Sequence, residues 1–235
     1  MSTVPQAEPE ALAASYLVAT RLAHDTAALE RALREVDPGQ FTTDAARLAF
    51  WINVYNARVK RAVRERGMSG NLLLHRGFFH QVGLDVGGRG VSLHVIEHGL
   101  LRGNRRAPYT PWRPLGARDP RRAWAIRTFD PRIHFALNCG AVSCPPIRAY
   151  AADRIDAQLA RATRAYFETE LAIEGGALRL PYLCTLYRGD FPDLRAFAAA
   201  HVDPARAAWI RAHPDAPLRW SPYRWEIGET VTDEA

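Results

Sequence analysis

The apolar positions of this chain follow a helical period over long stretches and break into short runs between them. From Asp44 onward Leu48, Ile52, Tyr55, Val59 and Val63 recur three or four residues apart, which predicts an amphipathic helix over about residues 44 to 66. An alanine-rich pattern predicts a first helix at about 9 to 36, and similar patterns predict helices at about 152 to 170 and 192 to 201. Leu93, Ile96 and Leu100 define the buried face of a shorter helix, about 92 to 102. Gly87-Gly88 marks one hairpin, and the stretch through Leu178 to Pro181 forms another. Residues 132 to 138 read as a buried strand, with Ile133, Phe135 and Leu137 pointing one way and His134, Ala136 and Asn138 the other. Many helices with few strands give an α+β class, a single mixed α/β domain rather than a doubly wound sheet. Its expected divisions are an N-terminal helical extension over residues 1 to 40, a core over 41 to 201, and a C-terminal segment, 202 to 235, packing on the core.

With 235 residues, 48% of them hydrophobic, and six tryptophans, the chain is long and apolar enough to bury a substantial core. The formal charge of +6 changes this picture little. Apart from Lys60 the basic side chains are arginines, and they are scattered, not gathered into the stripe that tracks nucleic-acid phosphates, so a small molecule or a peptide is the expected substrate. The densest basic segment, Arg102 to Arg122, is interrupted by prolines and tryptophans and reads as a surface loop. No window reaches the length of a membrane span, and Met1 to Thr20 lacks a basic start followed by an apolar run. Three cysteines fit reduced thiols better than a disulfide framework, which gives a cytoplasmic expectation. No cofactor is implied, and the oligomeric state is left open.

Chemistry concentrates in DPRIHFALNCGAVSCPP, residues 130 to 146, where the predicted strand empties into a loop carrying Cys139 and Cys144. Gly140 permits a backbone closed to other residues, and Pro145-Pro146 fixes the exit. Cys144 is then expected at the N-cap of a short helical turn with proline at its first position, where the helix dipole favours thiolate. Cys139, on the side of Phe135 and Leu137, reads equally as a core thiol, and Cys184 as core with no role.

Two helical residues add to this. Asn56 falls on the edge of the apolar stripe, with Asn53 further round. A buried amide without partners costs on the order of 1 to 3 kcal/mol, so Asn56 either ties its helix to a neighbouring loop, with the 139 to 144 loop expected, or orients an imidazole. Glu97 falls among Leu93, Ile96 and Leu101. A carboxylate there either meets an arginine such as Arg102 or Arg132, an imidazolium, an amide or a backbone N–H, or holds a raised pKa suited to proton transfer. The same segment spells H-x-x-E-H, so His94 and His98 would sit on one face as half of a zinc site, with Glu168 and Glu170 the nearest candidates for a third ligand.

Four blocks occur in an order that resembles the domain of unknown function 547 family: AFWINVYNA (Ala49 to Ala57), SLHVIEHGLLR (Ser92 to Arg102), DPRIHFALNC with its following SCP, and Tyr187-Arg188-Gly189-Asp190-Phe191. The resemblance covers about residues 44 to 200 and brings no established reaction with it. It implies an acidic residue where His94 stands, which counts against zinc. The matched residues fit a thiol-dependent hydrolase or acyl-transfer enzyme. Its nucleophile would be Cys144 or Cys139 and its base His98 or His134. Glu97, Asn56 or Asn138 would fix the imidazole, and Asn53, Arg102 and Asn138 would contact substrate. The residue types resemble papain-like and transglutaminase-like enzymes, which sets the fold expectation. The family's modules joined to coiled coils in plant proteins imply the other class, a non-catalytic scaffold, and its often exported relatives imply, as the alternative to a cytoplasmic chain, that a leader has been trimmed here.

Overall fold

The computed structural model describes residues 8–228, and its first feature is a pair of helices, α1 (Pro9–Arg21) and α2 (Ala27–Glu35), where one was expected. Ala23 takes a positive φ of 56° just after α1, and the Asp25 carboxylate accepts the Ala27 N–H at 2.9 Å, so the chain stops one helix and starts another. Thr43 Oγ1 accepts the Ala46 N–H and opens α3 (Asp44–Glu65), which has the span its apolar stripe predicts. Burial extends well beyond that stripe. Phe50, Trp51, Asn53, Val54 and Asn56 are as enclosed as Ile52 and Val59, because α1 lays Leu12, Tyr16 and Leu17 on one side of α3 while later segments cover the others.

After α3 the short helix α4 (Phe78–Gln81) leads into β1 (Gly83–Val86) and β2 (Arg89–Ser92), an antiparallel hairpin turned by Gly87 and Gly88 at φ 58° and 65°. The segment Val95–Leu101 is helical as expected, but it is a π-helix. Arg102 N–H bonds to Glu97 C=O and Asn104 N–H to Gly99 C=O, both five residues apart and both at 2.9 Å. The arginine-rich loop that follows is stapled by Asn104, whose side chain takes the Leu115 N–H and gives to the Leu115 carbonyl.

Pro131–Phe135 is a 3-10 helix, which corrects the strand expected at 132 to 138. The Asp130 carboxylate accepts the Arg132 N–H and Pro131 fixes the first φ, so the chain turns at once. The apparent alternation carried no information about a solvent face, since every residue from Ile133 to Asn138 is buried. Beyond it come α5 (Ile155–Glu170), β3 (Ala172–Glu174) and β4 (Ala177–Leu180), then α6 (Tyr182–Leu186), α7 (Leu194–Ala200), α8 (Pro204–Ala212) and β5 (Leu218–Trp220). β3 and β4 are antiparallel, and β5 adds to β4 in parallel. The sheets have two and three strands and neither closes, so the fold is a mixed α/β domain with a helical core. A second, smaller core gathers Phe135, Phe167, Leu178 and Phe191. Among the described residues no helix is long and apolar enough to cross a membrane.

Candidate active site

Between α4 and α6 lies a cavity of about 570 Å³ whose lining includes Glu97, His134, Cys139, Cys144, Tyr187 and Tyr223. Its other walls are largely apolar, among them Leu72, Phe78, Leu183 and Trp225.

The cysteine loop is fixed from three sides. Asn56 on α3 donates to the Ala136 carbonyl and accepts the Asn138 N–H, both at 2.9 Å, so it ties the helix to the residues that lead into the loop and does not orient an imidazole. Asn138 spans the loop itself: its carbonyl accepts the Gly140 N–H at 2.8 Å and its amide donates to the Pro145 carbonyl at 2.8 Å. Gly140 holds φ at 102°, a conformation that favours glycine. On the outer side the segment around residues 224 to 228 runs alongside: Val142 N–H bonds to Glu226 C=O at 2.8 Å and Gly228 N–H to Gly140 C=O at 3.2 Å. That segment is bonded on its far edge to Gly70 and Leu72, and it carries Tyr223 up to the thiols.

No helix begins at Cys144, which corrects the expected N-cap. Residues 145 to 150 form no regular secondary structure, and the thiol is held by hydrogen bonds instead of a dipole. Cys144 Sγ accepts the Cys139 N–H at 3.0 Å, lies 3.2 Å from the Tyr223 hydroxyl, and sits 2.6 Å from Cys139 Sγ. Burial alone would push the Cys144 thiol up, but the bonds from the Cys139 thiol, Tyr223 and the Cys139 N–H outweigh it and bring the group below its ordinary value. Cys139 moves the other way, pushed up first by its bond to Cys144 and then by burial. Its thiol is directed at Cys144 and Tyr223, not at the core side of Phe135 and Leu137 as expected. Cys184 is wholly buried in the second core.

Glu97 is buried as the wheel predicts; its hydrogen-bond donors are phenols, neither basic nor amide, and the imidazole of His98 lies further off, with Nδ1 3.8 Å from Oε1. Tyr55 donates to one carboxylate oxygen at 3.0 Å and Tyr187 to the other. Burial acts to raise its pKa, but the adjacent His98 and the Tyr187 hydroxyl prevail and keep the carboxylate ionised, which corrects the raised value considered for proton transfer.

The two histidines assigned as bases differ sharply. His98 has both nitrogens engaged: Arg102 donates to Nδ1 at 3.0 Å, so Nε2 carries the proton and meets the Tyr109 hydroxyl at 3.1 Å. Burial pushes its pKa down to about 4. Neither nitrogen has a free lone pair for a thiol. Tyr109 continues to His94 Nδ1 at 3.5 Å, and His94 stacks on His80 with ring centres 4.1 Å apart. Nδ1 of His98 faces a guanidinium, which does not favour the H-x-x-E-H pair as ligands, and among the described residues no group of three histidines, cysteines or carboxylates is placed to hold a metal ion. His134, by contrast, commits only Nε2, to Asp190 Oδ2 at 2.9 Å, and stacks on Tyr187 at 3.8 Å. Burial lowers its pKa, and with Nε2–H directed at Asp190 the proton-free nitrogen of the neutral form is Nδ1. Asp190 also takes Arg102 at 2.7 Å and Arg105 at 3.1 Å. Burial would raise this carboxyl, yet the bonds from His134 and Arg102 hold it well below the usual carboxylate range.

Of the side chains expected to contact substrate, Asn53 exchanges two bonds with the Tyr150 backbone, Asn138 closes the loop, and Arg102 is bound to Asp190, His98 and the Arg106 carbonyl. All three are buried positioning groups, and none lines the cavity. Sequence reasoning passed over Asp190, Tyr187 and Tyr223. The first two had a signal, the Tyr187-x-x-Asp190-Phe191 block; Tyr223 had none.

The family described as Protein of unknown function, DUF547, matches residues 39–167. The chain belongs to the DUF547 family. No curated protein and no solved structure matches it. The DUF547 match contains Asn56, Glu97, His98, His134 and both loop cysteines, whereas Tyr187, Asp190 and Tyr223 lie beyond it.

Proposed function

We propose that this DUF547 protein is a thiol-dependent hydrolase or acyl-transfer enzyme with Cys144 as its nucleophile. The observation that carries the reading is the set of hydrogen bonds converging on Cys144 Sγ at the wall of a cavity that also holds His134. Thiolate is the reactive form, and donors aimed at the sulfur favour it. In this reading Cys144 attacks the carbonyl carbon of an acyl substrate and forms a thioester. His134 takes the thiol proton on Nδ1 and returns it to the leaving group, and Asp190 fixes the tautomer that makes this possible. Water or a second acceptor then attacks the thioester. Glu97 belongs to the cavity wall, and Asn56 and Asn138 hold the loop. A relationship to papain-like or transglutaminase-like enzymes goes with the reading, supported by the residue types and by the long helix behind the cysteine loop. So does a cytoplasmic setting, supported by thiols that stay reduced there.

Alkylation tests it. Iodoacetamide at pH 6 to 7, followed by peptide mapping, is expected to label Cys144 well ahead of Cys139 and Cys184. Uniformly slow labelling of all three would remove the nucleophile. It would favour the second reading, an interaction domain, which draws on the internal saturation of the polar network: Glu97, Asn56 and Arg102 already have protein partners.

A further inference from the structure

The pairing of Cys139 with Cys144 is not used by acyl transfer, which needs one sulfur. The two Sγ atoms are 2.6 Å apart, the Tyr223 hydroxyl reaches both, at 3.6 and 3.2 Å, and both residues line the cavity. Four residues lie between them in sequence, and Asn138 ties the loop to itself at both ends, so the two sulfurs are held side by side without any larger rearrangement. Cys184 has no thiol partner.

We propose that Cys139 and Cys144 are a peroxide-reactive dithiol that closes to a reversible disulfide. The inference rests on the reading of Cys144 as the reactive thiolate, but not on acyl transfer. The Cys144 thiolate attacks the terminal oxygen of a hydroperoxide, the O–O bond breaks, and the alkoxide leaves as alcohol with the proton that Cys144 gave up. Cys139 sulfur then attacks the sulfenic sulfur, the S–O bond breaks, and hydroxide departs with the Cys139 proton as water. Two electrons pass from the dithiol to the peroxide. An external dithiol restores the pair by exchange. The disulfide also consumes the nucleophile, so oxidation and acyl transfer exclude one another at this site.

The test uses the full chain at pH 7 with a stoichiometric amount of tert-butyl hydroperoxide, then N-ethylmaleimide in denaturant and mass mapping. The expected result is loss of two of the three free thiols, with Cys184 still alkylated. A mass decrease of about 2 Da on the peptide pair containing Cys139 and Cys144, reversed by dithiothreitol, identifies the bond. Cys139→Ser is expected to lose this cross-link and to accumulate sulfinic acid on Cys144 at excess peroxide. Wild-type protein that keeps all three thiols, or that gains oxygen on Cys144 without a cross-link, overturns the proposal. If such protein still shows selective iodoacetamide labelling of Cys144, the thiol-enzyme reading stands alone. A cross-link that forms where iodoacetamide labels all cysteines equally keeps the thiol pair but overturns Cys144 as its attacking thiolate, and with it the acyl-transfer nucleophile.

Discussion

Asp190 Oδ2 meets His134 Nε2 at 2.9 Å, a bond between residues 56 positions apart in the sequence, and the same oxygen takes Arg102 at 2.7 Å. A carboxylate shared in this way sets the imidazole tautomer and neutralises a buried guanidinium at once. Asp190→Ala is therefore expected to cost about 3 to 5 kcal/mol in urea unfolding, because Arg102 is left as an uncompensated buried charge. Asp190→Asn keeps the shape and is expected to cost less, while nitrogen NMR of His134 shows Nε2–H and Nδ1–H forms mixing. A single unchanged tautomer in that variant would show that Asp190 does not control the ring.

Glu97 joins two tyrosines from different elements. Glu97→Ala leaves the Tyr55 and Tyr187 hydroxyls without an acceptor and is expected to cost about 2 to 4 kcal/mol in chemical denaturation. Glu97→Gln retains one acceptor and one donor and is expected to recover about half of that loss. A Glu97→Ala protein melting within about a degree of wild type would mean that the bridge contributes nothing.

The Tyr223 hydroxyl lies 3.2 Å from Cys144 Sγ and 3.6 Å from Cys139 Sγ, and its contact helps bring the Cys144 thiol below its ordinary pKa. Tyr223→Phe removes one hydrogen bond while keeping the ring, so the Cys144 pKa is expected to rise and its iodoacetamide labelling at pH 6 to 7 to slow by about tenfold, the equivalent of one pKa unit. Cys184 serves as the internal reference, since its labelling after unfolding should not change. Equal rates in wild type and variant would assign the lowered Cys144 pKa to the Cys139 thiol and N–H.

Acid should weaken the fold before most carboxylates titrate. His98 and His94 are held near a pKa of about 4 by burial, with His80 adding to the effect on His94. In the unfolded chain both titrate near 6.5. Between those values the unfolded chain binds more protons, so stability present above pH 6.5 is lost as pH falls toward 4. For His98 the loss is expected on the order of 2 to 3 kcal/mol, read as a falling midpoint in urea melts taken across that window. His98→Gln should flatten the slope, and a midpoint that holds constant from pH 6.5 to 4.5 would contradict the tautomer assigned to His98.

How much of this was legible in the sequence depends on whether periodicity or long-range contact decides the residue. α3 was legible because a long amphipathic stripe overdetermines a helix, and the burial of Asn56 and Glu97 followed from the same wheels. The strand at 132 to 138 failed because a segment enclosed on all sides offers no polar face for alternation to report. The π-helical turn was invisible because a wheel assumes its own pitch, and Gly99, where a Cβ would come within 3.2 Å of Leu115, gives a local reason for close packing there without revealing the pitch. The pairing of Asp190 was out of reach for a different reason. Its partners Arg102 and His134 are 88 and 56 residues away, and no local pattern encodes that meeting.

The strip of chain near residues 224 to 228, bonded to Gly70 and Leu72 on one edge and to Gly140 and Val142 on the other, carries a consequence for the order in which the molecule is assembled. Contacts this distant along the chain close large loops and are the last to be repaid during folding, whereas the helices around Trp51 can form early from local contacts. The donor that Tyr223 offers to Cys144 is thus supplied only when the final strip docks. The Tyr223 contact that helps lower the Cys144 pKa and the Trp225 wall of the cavity therefore arrive together, with the same strip of chain.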